Sequence, residues 1–231
     1  MLIKGFLGTS LIDYPGKISA IVFTGGCNFR CPFCHNSDLV IALDTLPTIT
    51  EEEFFKKIDK RRGFIDGIVI TGGEPLINKD ILNFIEKIKE REFLVKLDTN
   101  GSFPELLNEI LDADIVDFIA MDIKSSPEKY SMASGVKVDL SKIEKSIELI
   151  MKKSPDYEFR TTVVPGITEE EDMIDMVKMI EGAKSYAIQQ FRPMKVIDPR
   201  YLTIKPFPHE KLLRFVEIIT PFVKKVELRE E

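Results

Sequence analysis

The chain has 231 residues, 44% hydrophobic and 30% charged, with a net charge of −6. That length suits one large domain with a sizeable core, read as a single unit over residues 1–231. No apolar run reaches the ~20 residues of a membrane helix, the start Met1-Leu-Ile-Lys-Gly-Phe6 is no signal peptide, and no basic block suits general nucleic-acid binding. A cytoplasmic protein is expected.

The first apolar run, Ile18–Phe23, predicts a strand, and all three cysteines follow it in Cys27-Asn-Phe-Arg-Cys31-Pro-Phe-Cys34-His35. Three clustered thiols form no disulfide framework and suit a metal site. A cubane iron–sulfur cluster closed by protein takes four ligands, so three would leave one iron open to something else. Cys31-Pro-Phe-Cys34-His35 also fits the covalent haem pattern, which belongs to exported proteins. Adding His35 gives a Cys3His zinc alternative, weakened because Cys34 and His35 are adjacent.

Further on, Thr50-Glu-Glu-Glu53 predicts a capped helix through Phe54, Phe55 and Ile58. A strand over Gly67–Ile70 runs into Thr71-Gly72-Gly73-Glu74-Pro75, and a helix carries Ile81, Phe84, Ile85 and Ile88. The strand Phe93–Leu97 leads to Asp98-Thr99-Asn100-Gly101, then a capping box at Ser102-Phe-Pro-Glu105. Val116–Met121 is followed by Asp122-Ile-Lys124, and a helical stripe runs over Leu140, Ile143, Ile147 and Ile150. Tyr157–Val164 contains Arg160, which a buried strand accommodates only when paired or binding an anion. Thr168-Glu-Glu-Glu171 caps a helix, Tyr186–Gln190 is the sixth strand, and a proline-rich loop over Arg192–Pro208 precedes a helix near Glu210–Ile219. Such a loop is a lid, a docking surface or a plain connection. His209 reads as a surface or capping residue, and Val223–Leu228 as a short closing strand.

Strand and helix thus alternate about six times, which predicts a parallel α/β sheet, open or an incomplete barrel. Both place the active site at the C-terminal strand ends, where the cysteines, Gly72-Gly73-Glu74, Asp98-Thr99, Asp122, Lys124 and the Gln190-Phe191-Arg192 segment fall. Taken singly these motifs are weak: Gly72-Gly73 and Asn100-Gly101 make ordinary turns, and Asp122 with Lys124 an ordinary ion pair.

With its C-x3-C-x2-C signature and Gly72-Gly73-Glu74, the chain resembles radical S-adenosylmethionine (SAM) enzymes. Asp13-Tyr-Pro-Gly16, Cys34-His-Asn36, Asp98-Thr-Asn-Gly101, Asp122-x-Lys124, and Arg160 with Val163-Val-Pro-Gly166 resemble the activating enzymes of glycyl radical proteins. The run from Ser10 to Asn36 is most similar to anaerobic ribonucleoside-triphosphate reductase activating proteins, with pyruvate formate-lyase activating enzymes next. The resemblance implies a partial (β/α)6 TIM-type barrel. It implies one [4Fe–4S] cluster on Cys27, Cys31 and Cys34, its fourth iron chelated by SAM. A low-potential donor, flavodoxin or ferredoxin, would supply the electron that cleaves SAM to a 5′-deoxyadenosyl radical, and this would take hydrogen from a glycine of a partner enzyme. Phe33 would lie along the adenine, Gly72, Gly73 and Glu74 would meet the methionine amino group, and Arg160 its carboxylate. Asp98, Thr99 and Asp122 match positions for SAM and a monovalent cation, and Lys124 a SAM-contacting lysine. No cysteine remains for an auxiliary cluster, and Arg192 stands where pyruvate formate-lyase activases carry a histidine. The alternatives are radical SAM chemistry on a small molecule, as in 7-carboxy-7-deazaguanine synthase, and a non-catalytic zinc-binding interaction protein.

Overall fold

Eight strands lie in chain order in one sheet of the computed structural model, which describes residues 1–230. They are β1 (Ile3–Ser10), β2 (Ser19–Thr24), β3 (Gly67–Gly72), β4 (Leu94–Thr99), β5 (Phe118–Asp122), β6 (Tyr157–Val163), β7 (Tyr186–Gln190) and β8 (Val226–Arg229). β1 pairs antiparallel with β2, and every later neighbour is parallel. β1 and β8 do not pair, so the sheet is a partial TIM-type barrel open along one side.

β8 falls within the closing strand expected over Val223–Leu228 and one residue beyond it, and brings the six expected parallel strands to seven. β1 escapes sequence reading because Lys4, Gly5, Gly8 and Thr9 interrupt its apolar positions. β4 and β5 also run further than their apolar cores. Asp98, Thr99 and Asp122 are therefore the last residues of strands and not loop residues.

Helices connect the strands: α1 (Asp38–Ile41), α2 (Glu51–Asp59), α3 (Ile81–Lys89), α4 (Pro104–Asp112), α5 (Tyr130–Ser134), α6 (Leu140–Lys153), α7 (Glu170–Met179) and α8 (His209–Ile219). The Thr50–Glu53 capping box forms. The other two differ from expectation. Ser102 turns back to donate to Asn100 Oδ1 at 2.6 Å, and α4 starts at Pro104, whose missing N–H costs nothing there. α7 is boxed by Glu169 and Asp172, while Thr168 Oγ1 accepts from the Val164 N–H at 3.1 Å.

Side chains alternate between the two faces of each strand. The outward set, including Val22, Ile70, Leu97, Met121, Phe159 and Ile188, packs under the helices in the main core. Each such side chain contributes roughly 1.5–3 kcal/mol by leaving water. Inside, Ile21, Val69 and Phe118 close over Tyr14, which reaches in from the β1–β2 loop and plugs the barrel at the N-terminal ends of its parallel strands. Nearer the C-terminal ends the same inward rows become polar: Lys96 and Asp98, Asp122, Arg160 and Thr162, Gln189. The register sets Asp122 beside Arg160 and Thr162 beside Gln189.

Candidate active site

At the C-terminal strand ends lies a cavity of about 390 Å³. Cys27, Cys31 and Cys34 all line it, together with Phe33, Gly72, Gly73, Asp98, Thr99, Asp122, Lys124 and Arg160. Of the residues matched to cluster or SAM contacts, only Glu74 lies outside this wall.

The cysteine loop is tied down along its length. Gly26 N–H donates to Leu39 O at 2.8 Å, Arg30 N–H to Ser134 O at 2.8 Å, and Pro32 O accepts from the Ile197 and Asp198 N–H groups at 3.1 and 2.9 Å. Residues 192–208 therefore buttress the cysteine loop, and Tyr201 packs on Phe33 with ring centroids 6.3 Å apart. Gly135 sits so close beneath that a side-chain carbon there would lie 2.0 Å from Arg30 O.

Burial pushes the Cys27 thiol up to about 11 and the Cys31 thiol to about 12, and raises Cys34 as well, with Lys124 pulling each down. Metal binding must therefore displace protons. Phe29 N–H and the Asn100 amide approach Cys27 Sγ at 3.3 and 3.9 Å. Donors to a ligand sulfur stabilise its negative charge and tune the potential of a cluster.

Among the described residues, no three His, Cys, Asp or Glu side chains form a group that could hold a metal ion; a cubane takes its thiolates at separate iron corners. His35, on the same cavity wall, has Nε2 3.1 Å from Arg192 O and stacks its ring on Phe191.

Glu74 is fully buried. Its carboxylate accepts from Leu76 N–H at 3.0 Å, Thr99 Oγ1 at 2.9 Å and Asn100 N–H at 2.6 Å. It stitches the end of β3 to the end of β4. Burial raises its pKa to about 7, against the pull of these donors. Glu74→Gln turns one amide N–H toward a donor. A buried unsatisfied group costs about 1–3 kcal/mol, which urea unfolding of the metal-free protein should register.

Gly72 and Gly73 are also required by protein and not only by a ligand. A side-chain carbon at Gly73 would lie 1.9 Å from Gly26 O, and one at Gly72, whose φ is +120°, 2.5 Å from the Thr24 backbone. Here β3 passes directly under the start of the cysteine loop. Gly73→Ala should displace that loop and cut iron retention several-fold, with the barrel still folded by circular dichroism.

Deeper in the barrel, five charges alternate. Lys96 Nζ lies 2.6 Å from Asp98 Oδ1; Arg160 reaches Asp98 Oδ2 at 3.1 Å and Asp122 Oδ1 at 2.9 Å; Lys124 Nζ meets Asp122 Oδ2 at 2.9 Å. Burial alone would raise both carboxyls, but Arg160 with Lys96 holds Asp98, and Arg160 with Lys124 holds Asp122, below the usual carboxylate range. Of the three cations in this chain of charges, Arg160 and Lys124 reach the cavity wall. Asp98, Thr99 and Asp122, the residues matched to a monovalent-cation site, lie together on the cavity wall. Each carboxylate already faces two basic side chains, which compete with an added ion.

Lys96 is missed from sequence because a lysine in a strand reads as a solvated residue, yet it is 1% exposed. Thr162 and Gln189 also line the cavity unannounced, beside Asp13 and Asn36 from the motifs quoted above. Arg192 does not: it lines the neighbouring groove and donates to Glu230 O at 3.1 Å.

Residues 21–180 match the family model described as the radical SAM superfamily. The chain belongs to the radical SAM superfamily. It is a radical SAM enzyme whose cofactors are a [4Fe–4S] cluster and SAM. It is 38% identical, over 99% of its length and 95% of the relative's, to a Methanocaldococcus jannaschii protein provisionally named a glycyl-radical enzyme activating enzyme. It is 31% identical to the pyruvate formate-lyase-activating enzyme of Listeria monocytogenes, over 74% of this chain and 71% of that one. Its fold is similar to that of Streptococcus suis SuiB, with a TM-score of 0.67 at 15% identity, over 91% of this chain and 48% of that one. The site fits the radical SAM cofactors: three thiols, the basic side chains of Lys124 and Arg160, and polar strand ends all line one cavity. Among the described residues no helix is long and apolar enough to cross a membrane.

Proposed function

We propose that this radical SAM enzyme installs a glycyl radical on a partner protein, and that the partner is an anaerobic ribonucleoside-triphosphate reductase. The likeness to the M. jannaschii protein over nearly the whole of both chains carries this reading. The motifs Asp13-Tyr-Pro-Gly16 and Asp98-Thr-Asn-Gly101 agree with it, as does the open side of the barrel, which lets a segment of a large substrate approach.

In this reading Cys27, Cys31 and Cys34 hold the cluster. When bound, the cluster and SAM supply one-electron cleavage of a carbon–sulfur bond and hence a hydrogen-abstracting carbon radical. The protein positions and shields. Arg160 and Lys124 offer positive charge to the SAM carboxylate, Phe33 offers its ring to the adenine, and Gly72 and Gly73 present backbone carbonyls. Asp98, Thr99 and Asp122 face the ribose and methionyl part. Glu74 acts from behind, holding the Thr99–Asn100 turn. Flavodoxin or ferredoxin would deliver the electron, in the cytoplasm of an anaerobically growing cell.

The test is electron paramagnetic resonance of reconstituted, reduced enzyme incubated with SAM and the purified reductase of its own organism. The expected result is an organic-radical doublet on the reductase. No radical on it, with turnover of a small molecule instead, would favour a 7-carboxy-7-deazaguanine synthase-like reaction.

A further inference from the structure

A second groove runs along the open side of the barrel. It lies between Leu11–Asp13, just after β1, and Glu227–Glu230 at β8, and shares Asp13, His35, Arg160, Thr162 and Gln189 with the cysteine-lined cavity. On the β1 side this groove meets a third one, with Leu11 common to both. Around that junction the surface is apolar: Leu11 is 72% exposed, Ile12 86% and Phe64 76%, with Ile18 also exposed. The third groove is lined by Lys57, Lys60 and Arg61 and by no carboxylate, although the chain carries a net charge of −6.

Large apolar side chains gathered at one rim, beside a one-signed basic edge, mark an interaction surface and not scattered exposure. Nucleic acid would take the bases and leave the apolar rim unused. A protein face that carries both apolar residues and carboxylates satisfies both. We propose that Leu11, Ile12, Ile18 and Phe64, flanked by Lys57 and Lys60, form the docking site for an acidic, apolar-bearing face of the glycyl-radical partner. This rests on the reading above that the substrate is a glycine in another protein. The continuity of grooves gives the site its purpose: a partner seated there stands beside the open side, where one extended segment reaches the cavity along β8. Docking outside the cavity separates holding the partner from cleaving SAM.

The experiment compares wild type with the Phe64→Glu and Lys60→Glu/Phe64→Glu variants, all reconstituted and reduced. Glycyl radical formed on the purified reductase is measured against reductase concentration, beside SAM cleavage without partner. The expected result is unchanged partner-free cleavage and thermal midpoint, with at least a tenfold higher reductase concentration needed for half-maximal activation. Added salt should weaken activation in wild type more than in the double variant. Equal concentration dependence in all three proteins overturns the docking site. So does sedimentation showing a wild-type dimer that Phe64→Glu dissolves, because a second copy would then cover the patch. A wild-type enzyme that cleaves SAM yet puts no radical on any concentration of reductase refutes the functional reading instead.

Discussion

Replacing Cys31 with alanine should abolish SAM cleavage while leaving the barrel folded. The three cysteines are the only thiols in the chain, so no other sulfur can move in to replace one. Anaerobically reconstituted wild type should carry about four irons per chain, and Cys31→Ala well under half of that. Formation of 5′-deoxyadenosine should fall below detection. Cys31 is a buried member of the main core, and losing one sulfur atom there costs an ordinary point-mutant amount, about 1 kcal/mol. Circular dichroism should therefore match wild type. Persistent cleavage with full iron would remove Cys31 from the cluster.

The second large effect concerns stability. Arg160 bridges two carboxylates inside the barrel, and Arg160→Met leaves both short of a cation. Removing one partner of a buried ion pair costs about 3–5 kcal/mol, so the metal-free variant should unfold at clearly lower urea at pH 7. Arg160→Lys, which can reach one carboxylate but not fork between two, should fall between. The pH dependence has a defined sign. Asp98 and Asp122 are held below their ordinary value of 3.8 in the folded chain. Their stabilisation is full above that value and is lost as pH falls through the folded pKa. Without Arg160 the folded pKa values rise, and the difference between variant and wild type should shrink as the pH drops toward 3. A gap that stayed constant down to that pH would show that packing, not charge, is what Arg160 supplies.

Much of this was legible beforehand, and the particular failures are instructive. The six central strands announce themselves because their outward faces are runs of isoleucine, valine and phenylalanine, and the motifs are legible because each sits where such a run stops. Thr50–Glu53 caps its helix because both residues face solvent and answer to nothing else. Ser102 and Thr168 carry the same local pattern, but tertiary partners, Asn100 and the Val164 N–H, outbid the helix ends. The Gly72-Gly73-Glu74 motif points to a ligand and is silent on the protein's own use of Glu74; only the folded positions of Leu76, Thr99 and Asn100 reveal its three donors. Lys96 was hidden for the converse reason, since period-two alternation does not say whether a polar row faces water or the interior of a barrel.

The antiparallel pairing of β1 has a consequence for how the protein survives at high concentration. An unclosed sheet has two edges, each with unpaired backbone groups able to recruit another chain. On one edge Ile49 N–H donates to Ile3 O at 3.0 Å, and irregular register between Ile3 and Gly5 and between Leu7 and Ser10 breaks the regularity of β1. The other edge, β8, spans only Val226–Arg229 and carries Glu227 and Arg229 in charged pairs. Neither edge offers the long, flat, neutral template that fibrillar stacking requires. The open side of the barrel can therefore stand permanently ajar without inviting the molecule to polymerise through it.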